Sequence, residues 1–86
     1  MKISPQYSVY IVECQDHTLY TGMARNVSQR IAQHNAGTGA KYTRARRPVV
    51  LRYQEVVGSR SQALKREWAI KQLSRTQKLK LIQSQS

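Results

Sequence analysis

The feature that most constrains this chain is the run Ser8-Val9-Tyr10-Ile11-Val12-Glu13-Cys14, followed by Gln15-Asp16-His17-Thr18 and then by Leu19-Tyr20-Thr21-Gly22. β-Branched and aromatic residues fill the two flanks and turn formers lie between them, so the spacing predicts a β-hairpin. Alternation puts Tyr10 on the face it shares with Ser8 and Val12, a phenol among apolar neighbours. A hairpin alone is marginal in water. The chain has 86 residues and a single cysteine, Cys14, so no intrachain disulfide can brace it, and helices must cover the strands instead.

The remainder supplies them. Asn26 with Gln29 reads as a capped helix start, and Gly37 as a stop, which predicts a helix over about 27–36 with Val27 and Ile31 inward. Arg30 and His34 are spaced i,i+4 beside that stripe and can converge at the edge of the core. Residues 37–48 form a glycine-containing basic connector with a short helical turn. Residues 49–57 alternate as a third strand, with Val49, Leu51, Tyr53 and Glu55 on one face. A helix over about 62–73, capped by Ser59 or Ser61, presents Leu64, Trp68 and Ile70, and Trp68 is expected in the core. Ser74 and Gln77 form a capping box for a last helix over about 75–83 with Leu79 and Ile82 inward, ending in a frayed tail, residues 83–86. The order is β-β-α-β-α-α: an α+β fold in which a three-stranded antiparallel sheet carries packed helices, in one domain over residues 1–86.

Composition narrows the function. Lys and Arg number 15 against 4 Asp and Glu, a net charge of +11, the sign that phosphate backbones attract. Nucleic acid is the expected partner and a membrane is not, since the cations are not confined to one amphipathic helix. No apolar run approaches the roughly 18 residues of a membrane span, residues 1–5 lack a hydrophobic leader, and a lone thiol fits a reducing compartment, so a cytoplasmic location is expected. The four acids are Glu13, Asp16, Glu55 and Glu67; two of them flank the hairpin turn, so a clustered two-metal site is not expected. Cys14 and His17 have C-x-x-H spacing, but only His34 remains to join them, short of a four-ligand zinc site.

Val9-Tyr10-Ile11-Val12, Leu19-Tyr20-Thr21-Gly22, Asn26-Val27-Ser28-Gln29-Arg30 and His34-Asn35 together resemble the GIY-YIG nuclease domain, a superfamily of homing endonucleases, restriction enzymes and the incision domain of bacterial nucleotide excision repair. Lys41-Tyr42-Thr43-Arg44, Arg47-Pro48, Glu55 and residues 63–71 extend the similarity to the small standalone bacterial subgroup (YhbQ-like, UPF0213), over about residues 7–82. Ser8-Val9-Tyr10 stands in place of Gly-Ile-Tyr and Thr21 in place of Ile. Met23 takes a position often held by Lys or a small polar residue, removing one phosphate contact.

The resemblance implies a metal-dependent endonuclease that hydrolyses phosphodiester bonds, on DNA in preference to RNA, of a repair or recombination type. It assigns Glu67 as ligand of one Mg²⁺ or Mn²⁺ ion, a hard cation that keeps most of its waters. Taken alone, Glu67 also reads as a surface carboxylate paired with Lys71 or Lys65. Arg30 is the transition-state stabiliser, because its fork can bind two phosphate oxygens. Of Tyr10 and Tyr20, one activates the water and the other positions it or the phosphate; which does which stays open. His34 assists as a base or holds the phosphate. Gly22 allows close approach, and Lys41, Arg44, Arg46 and Arg47 with Tyr42 form a track for backbone phosphates and an unstacked base. A single site nicks one strand as a monomer, or cuts two as a dimer. The alternative is a nucleic-acid-binding module with this fold and little or no catalysis.

Overall fold

The computed structural model describes residues 6–85; the expectation about residues 1–5, and Ser86 of the tail, fall outside that span. Strands β1 (Tyr7–Glu13) and β2 (Leu19–Ala24) form the hairpin, α1 (Val27–Ala36) and the one-turn α2 (Lys41–Arg44) follow, and β3 (Val50–Gly58), α3 (Arg60–Lys71) and α4 (Arg75–Gln83) complete the chain. The sheet is antiparallel in the order β2-β1-β3. The α+β order is thus the one the pattern predicts, with α2 as the helical turn of the connector.

Placing β1 in the centre explains its near-continuous apolar run, for it is covered on both faces. Val9 and Ile11 point to one side, where Ala63, Ile70, Leu73, Leu81 and Ile82 of the last two helices and their linker cover them together with Tyr53. Tyr10, Val12 and Cys14 point to the other, against Val27 and Ile31 of α1 and against Val49. Asn26 caps α1 by accepting from the Gln29 amide, and Gly37, at φ 86°, closes it. Asn35 then ties α1 to the start of β3: its Oδ1 accepts from the Val49 amide at 2.7 Å and its Nδ2 donates to the Val49 carbonyl at 3.1 Å.

Four expectations are corrected. Val49 and Tyr53 do not share a face: Val49, just before β3, packs with Tyr10 and Val12, whereas Tyr53 packs with Val9 and Ile11, because the pairing of β1 with β3 shifts register between Ile11 and Val12. Helix α3 starts at Arg60 behind the capping box of Ser59 and Gln62, and it turns Ala63 and Ile70 inward, leaving Leu64 41% and Trp68 67% exposed. The small Ala63 lets the helix lie close to the sheet, whereas the indole cannot be held at that spacing. In α4, capped by Ser74 and Gln77, Leu81 packs with Ile82 on the core while Leu79 is exposed. The tail is not frayed at Gln85, whose side-chain amide bonds the Gln54 backbone, its Oε1 accepting from the Gln54 amide at 3.3 Å.

Candidate active site

On the α1 face, the register pairs Tyr10 with Gly22. A Cβ on Gly22 would lie 2.5 Å from the Tyr10 hydroxyl, so only glycine lets the ring cross β2. The Tyr10 hydroxyl reaches His34 Nε2 at 2.8 Å. On the other side of the imidazole, Thr43 Oγ1 lies 2.7 Å from Nδ1 and donates to the Ala40 carbonyl at 3.0 Å; the Ala40 amide is 3.5 Å from the same nitrogen. Gly39 touches this group too, for a Cβ there would meet His34 Nδ1 at 2.5 Å and its Cα at 2.9 Å. Tyr10, His34 and Thr43 are all buried. His34 is therefore not at the edge of the core, as its spacing from Arg30 alone implied, because α2 closes over it. Thr43 enters the sequence reading only as part of the Lys41–Arg44 run, with no site role. Its only sequence signal is a small hydroxyl residue among the cations of the connector.

Burial pushes the Tyr10 phenol up to about 12, with the Tyr20 and Glu67 charges adding and Arg30 opposing. Burial, and then Arg30, pull His34 below the ordinary imidazole value, which keeps it neutral.

Above this buried set lies a more open one. Tyr20 is half-buried, with its ring edge-on to His34 at 5.5 Å and stacked on Tyr42 at 5.7 Å. Burial raises its pKa, Glu67 raises it further, and Arg30 opposes both. Arg30 itself is partly exposed, steadied by donation to Gln33 Oε1 at 3.0 Å. Glu67 comes from the opposite layer, on α3, and its charge reaches both tyrosines.

The four carboxylates differ in how they are held. Glu13 accepts from Arg52 and pairs with His17, both at 2.9 Å. Asp16 accepts from Thr18 Oγ1 at 2.6 Å and Arg46 at 3.1 Å, and Glu55 from Tyr53 at 2.6 Å and Arg66 at 2.9 Å. Glu67 has only Lys71 at 3.8 Å, with 18% of its side chain exposed. Among the described residues no three His, Cys, Asp or Glu side chains cluster as metal ligands. A single loosely paired carboxylate still suits a hard cation whose other positions are filled by water and phosphate oxygens.

The basic connector divides. Lys41 and Arg44 are exposed, and Arg44 and Arg47 line an open groove of about 450 Å³ with Asn35, Ala45 and Pro48. Arg47 is also bonded to the Arg44 carbonyl at 2.8 Å. Arg46 lies 4.0 Å over the Tyr42 ring while it holds Asp16. The Tyr42 ring thus already has Tyr20 and Arg46 as partners. Met23 belongs to the other face, packed near Val9 and Ile11, so it takes nothing from the Tyr20 side.

Residues 6–80 match the model of the GIY-YIG catalytic domain. A UPF0213 protein of Staphylococcus haemolyticus is 60% identical over 78 residues, 91% of this chain and 95% of the relative. One from Halobacterium salinarum is 57% identical over 72 residues, 84% of this chain and 94% of its own. The solution NMR structure of a UPF0213 protein from Bacillus halodurans superposes with a TM-score of 0.58 at 41% identity, covering 91% of this chain and 83% of that one. The NMR structure of an E. faecalis protein does so at 0.64 and 40% identity, over 98% and 90%.

Proposed function

The chain belongs to the GIY-YIG family, among its UPF0213 members, and from that premise we propose that it is a small metal-dependent endonuclease hydrolysing phosphodiester bonds in nucleic acid, DNA in preference to RNA, at the surface formed by Tyr20, Arg30 and Glu67. The observation that carries this reading is the difference among the carboxylates: three are held by partners at 3.1 Å or less, and the fourth, whose charge is felt at both tyrosines, has among the described residues only Lys71 at 3.8 Å. With 18% of its side chain exposed and one distant partner, Glu67 is the carboxylate left to take a hard cation.

Tyr20 is the water-facing group, because Tyr10 is fully buried and already bonded to His34. Tyr20 first gives its phenol proton to solvent, a loss that the Arg30 charge favours and a bound cation would favour further; the phenolate then accepts a proton from water as the water oxygen bonds to phosphorus and the P–O bond to the leaving oxygen breaks, and that oxygen is protonated by solvent. Arg30 donates to the non-bridging oxygens as their charge grows. Glu67 would hold one Mg²⁺ or Mn²⁺, which supplies positive charge against both the phosphoryl oxygens and the effect of Glu67 on Tyr20. Both nitrogens of His34 are engaged, Nε2 by the Tyr10 hydroxyl and Nδ1 by Thr43 Oγ1 with the Ala40 amide beside it. That chain fixes the rings against which Tyr20 leans. Tyr10 and His34 position; they do not touch the reacting atoms. Lys41, Arg44, Arg46 and Arg47 carry the flanking backbone.

Purified protein incubated with plasmid, single-stranded and branched DNA and RNA, with Mg²⁺, Mn²⁺ or chelator, tests the reading beside Glu67→Ala and Arg30→Ala. Metal-dependent cleavage lost in both variants is the expected result. Cleavage that survives both substitutions, or resists chelator, removes the mechanism, and binding without cleavage by the wild type leaves the binding module.

A further inference from the structure

Trp68 is the only tryptophan of the chain, and it is 67% exposed. Tyr7, Tyr10, Tyr20 and Tyr42 each have a ring or guanidinium partner, and Tyr53 is buried and bonded to Glu55. Trp68 has no such partner among the described residues. The surface around it is open: Leu64, Lys65, Lys71 and Gln72, at i−4, i−3, i+3 and i+4, are all exposed and share its side of the helix, and Lys71 is held only by its 3.8 Å pair with Glu67. The only acid of α3 is Glu67, the neighbouring residue, about 1.5 Å along the helix axis and a quarter-turn or so around it.

We propose that the Trp68 face of α3 binds an unpaired nucleotide of the substrate, its indole stacking on the base while Lys65 and Lys71 meet the adjoining phosphates. Large exposed rings flanked by cations are how proteins hold single strands, since every base has a π-face and every linkage a charge. In a duplex those faces are covered by neighbouring base pairs, so the face selects strands with unpaired bases. Charge argues against a second copy of this chain as occupant: two surfaces with lysines on either side of the ring, on molecules of net charge +11, repel. Tyr42, the ring the sequence offered for this role, already has Tyr20 and Arg46 as partners. The inference rests on the hydrolytic reading only for placing the base beside a reacting phosphate. Binding at this face stands or falls independently of cleavage.

The indole emission reports on it directly, because no other tryptophan contributes. The whole protein, in chelator so that nothing is cut, is titrated with a single-stranded oligonucleotide of about 12 nucleotides and with a duplex of the same sequence. Saturable quenching by the single strand, with little by the duplex, is expected; deoxy- and ribo-oligomers run side by side tell which backbone is accepted, and at least one must quench. With labelled strands, Trp68→Leu should weaken single-strand binding on the order of 5- to 150-fold and duplex binding less than about twofold, at an unchanged thermal midpoint. Trp68→Phe should retain most of the affinity. Leucine keeps apolar bulk without a π-face, so equal binding by Trp68→Leu overturns the proposal. Equal quenching by duplex, or an emission blue shift with protein concentration alone, overturns it as well.

Discussion

The two faces of the sheet are built from alternate residues of one strand, yet they differ in kind. Val9 and Ile11 enter an aliphatic layer with Ala63, Ile70, Leu81 and Ile82. Tyr10, one residue away, enters a layer whose buried centre is a hydrogen-bonded chain from phenol to imidazole to hydroxyl to carbonyl. The aliphatic layer tolerates change as long as volume is kept, whereas a buried polar chain must be complete or it is worse than none. The lesson is a division of labour: one face holds the chain together, and the other holds a small set of rings in one orientation. Glu67 is where the two meet, since it rides on the packing layer and acts on the tyrosines.

The largest effect should come from the aliphatic side. Ile70 is completely buried, and Ile70→Ala should lower unfolding free energy by about 2–5 kcal/mol in denaturant titrations, while the cleavage rate per folded molecule stays near wild type. A rate loss beyond the unfolded fraction would erase the distinction between the faces. Thr43→Val keeps shape but leaves the Ala40 carbonyl and His34 Nδ1 without the hydroxyl, so it should cost about 1–3 kcal/mol and slow cleavage as well, with Thr43→Ser restoring both. The ¹⁵N shifts of His34 report whether its tautomer has changed.

A smaller change of opposite sign is expected at Thr21. Its Oγ1 is buried with no hydrogen-bond partner among the described residues, on the Ile11 side of the hairpin. Thr21→Val should therefore raise stability by about 1 kcal/mol without altering the rate. Most modest is the pH dependence. Because burial depresses the folded pKa of His34, the unfolded chain binds a proton that the folded one refuses. The contribution of His34 is present above about pH 6.5 and declines as pH falls below it. Chemical denaturation at pH 7 and 5.5 should show that decline and show it reduced in His34→Gln. The depressed carboxylates Glu13, Asp16 and Glu55 act only at lower pH.

The elements were legible in the sequence because local chemistry set them. Asn26, Gly37, Ser74 and Gln77 mark helix ends through their own side chains or backbone freedom, and the β1 and β2 pattern is a period of two. What was not legible depended on contacts between distant segments. The Arg30 and His34 spacing places both on one side of α1, but nothing local says that α2 covers one and leaves the other open. Leu64 and Trp68 have helical spacing as good as that of Ala63 and Ile70; which pair faces the sheet is decided by how close the helix can come, and alanine wins over indole. The site residues drawn from the family resemblance fall into a buried group and an exposed group, a separation that only the packed structure provides.

The central claim is that Tyr20, on the open side, faces the water while Tyr10 beneath it only positions. The direct measurement is the single-turnover cleavage rate of Tyr20→Phe in saturating divalent cation, beside its thermal midpoint. The account predicts a rate at least about 100-fold below wild type with stability essentially kept. A Tyr20→Phe protein that cleaves like the wild type would contradict it.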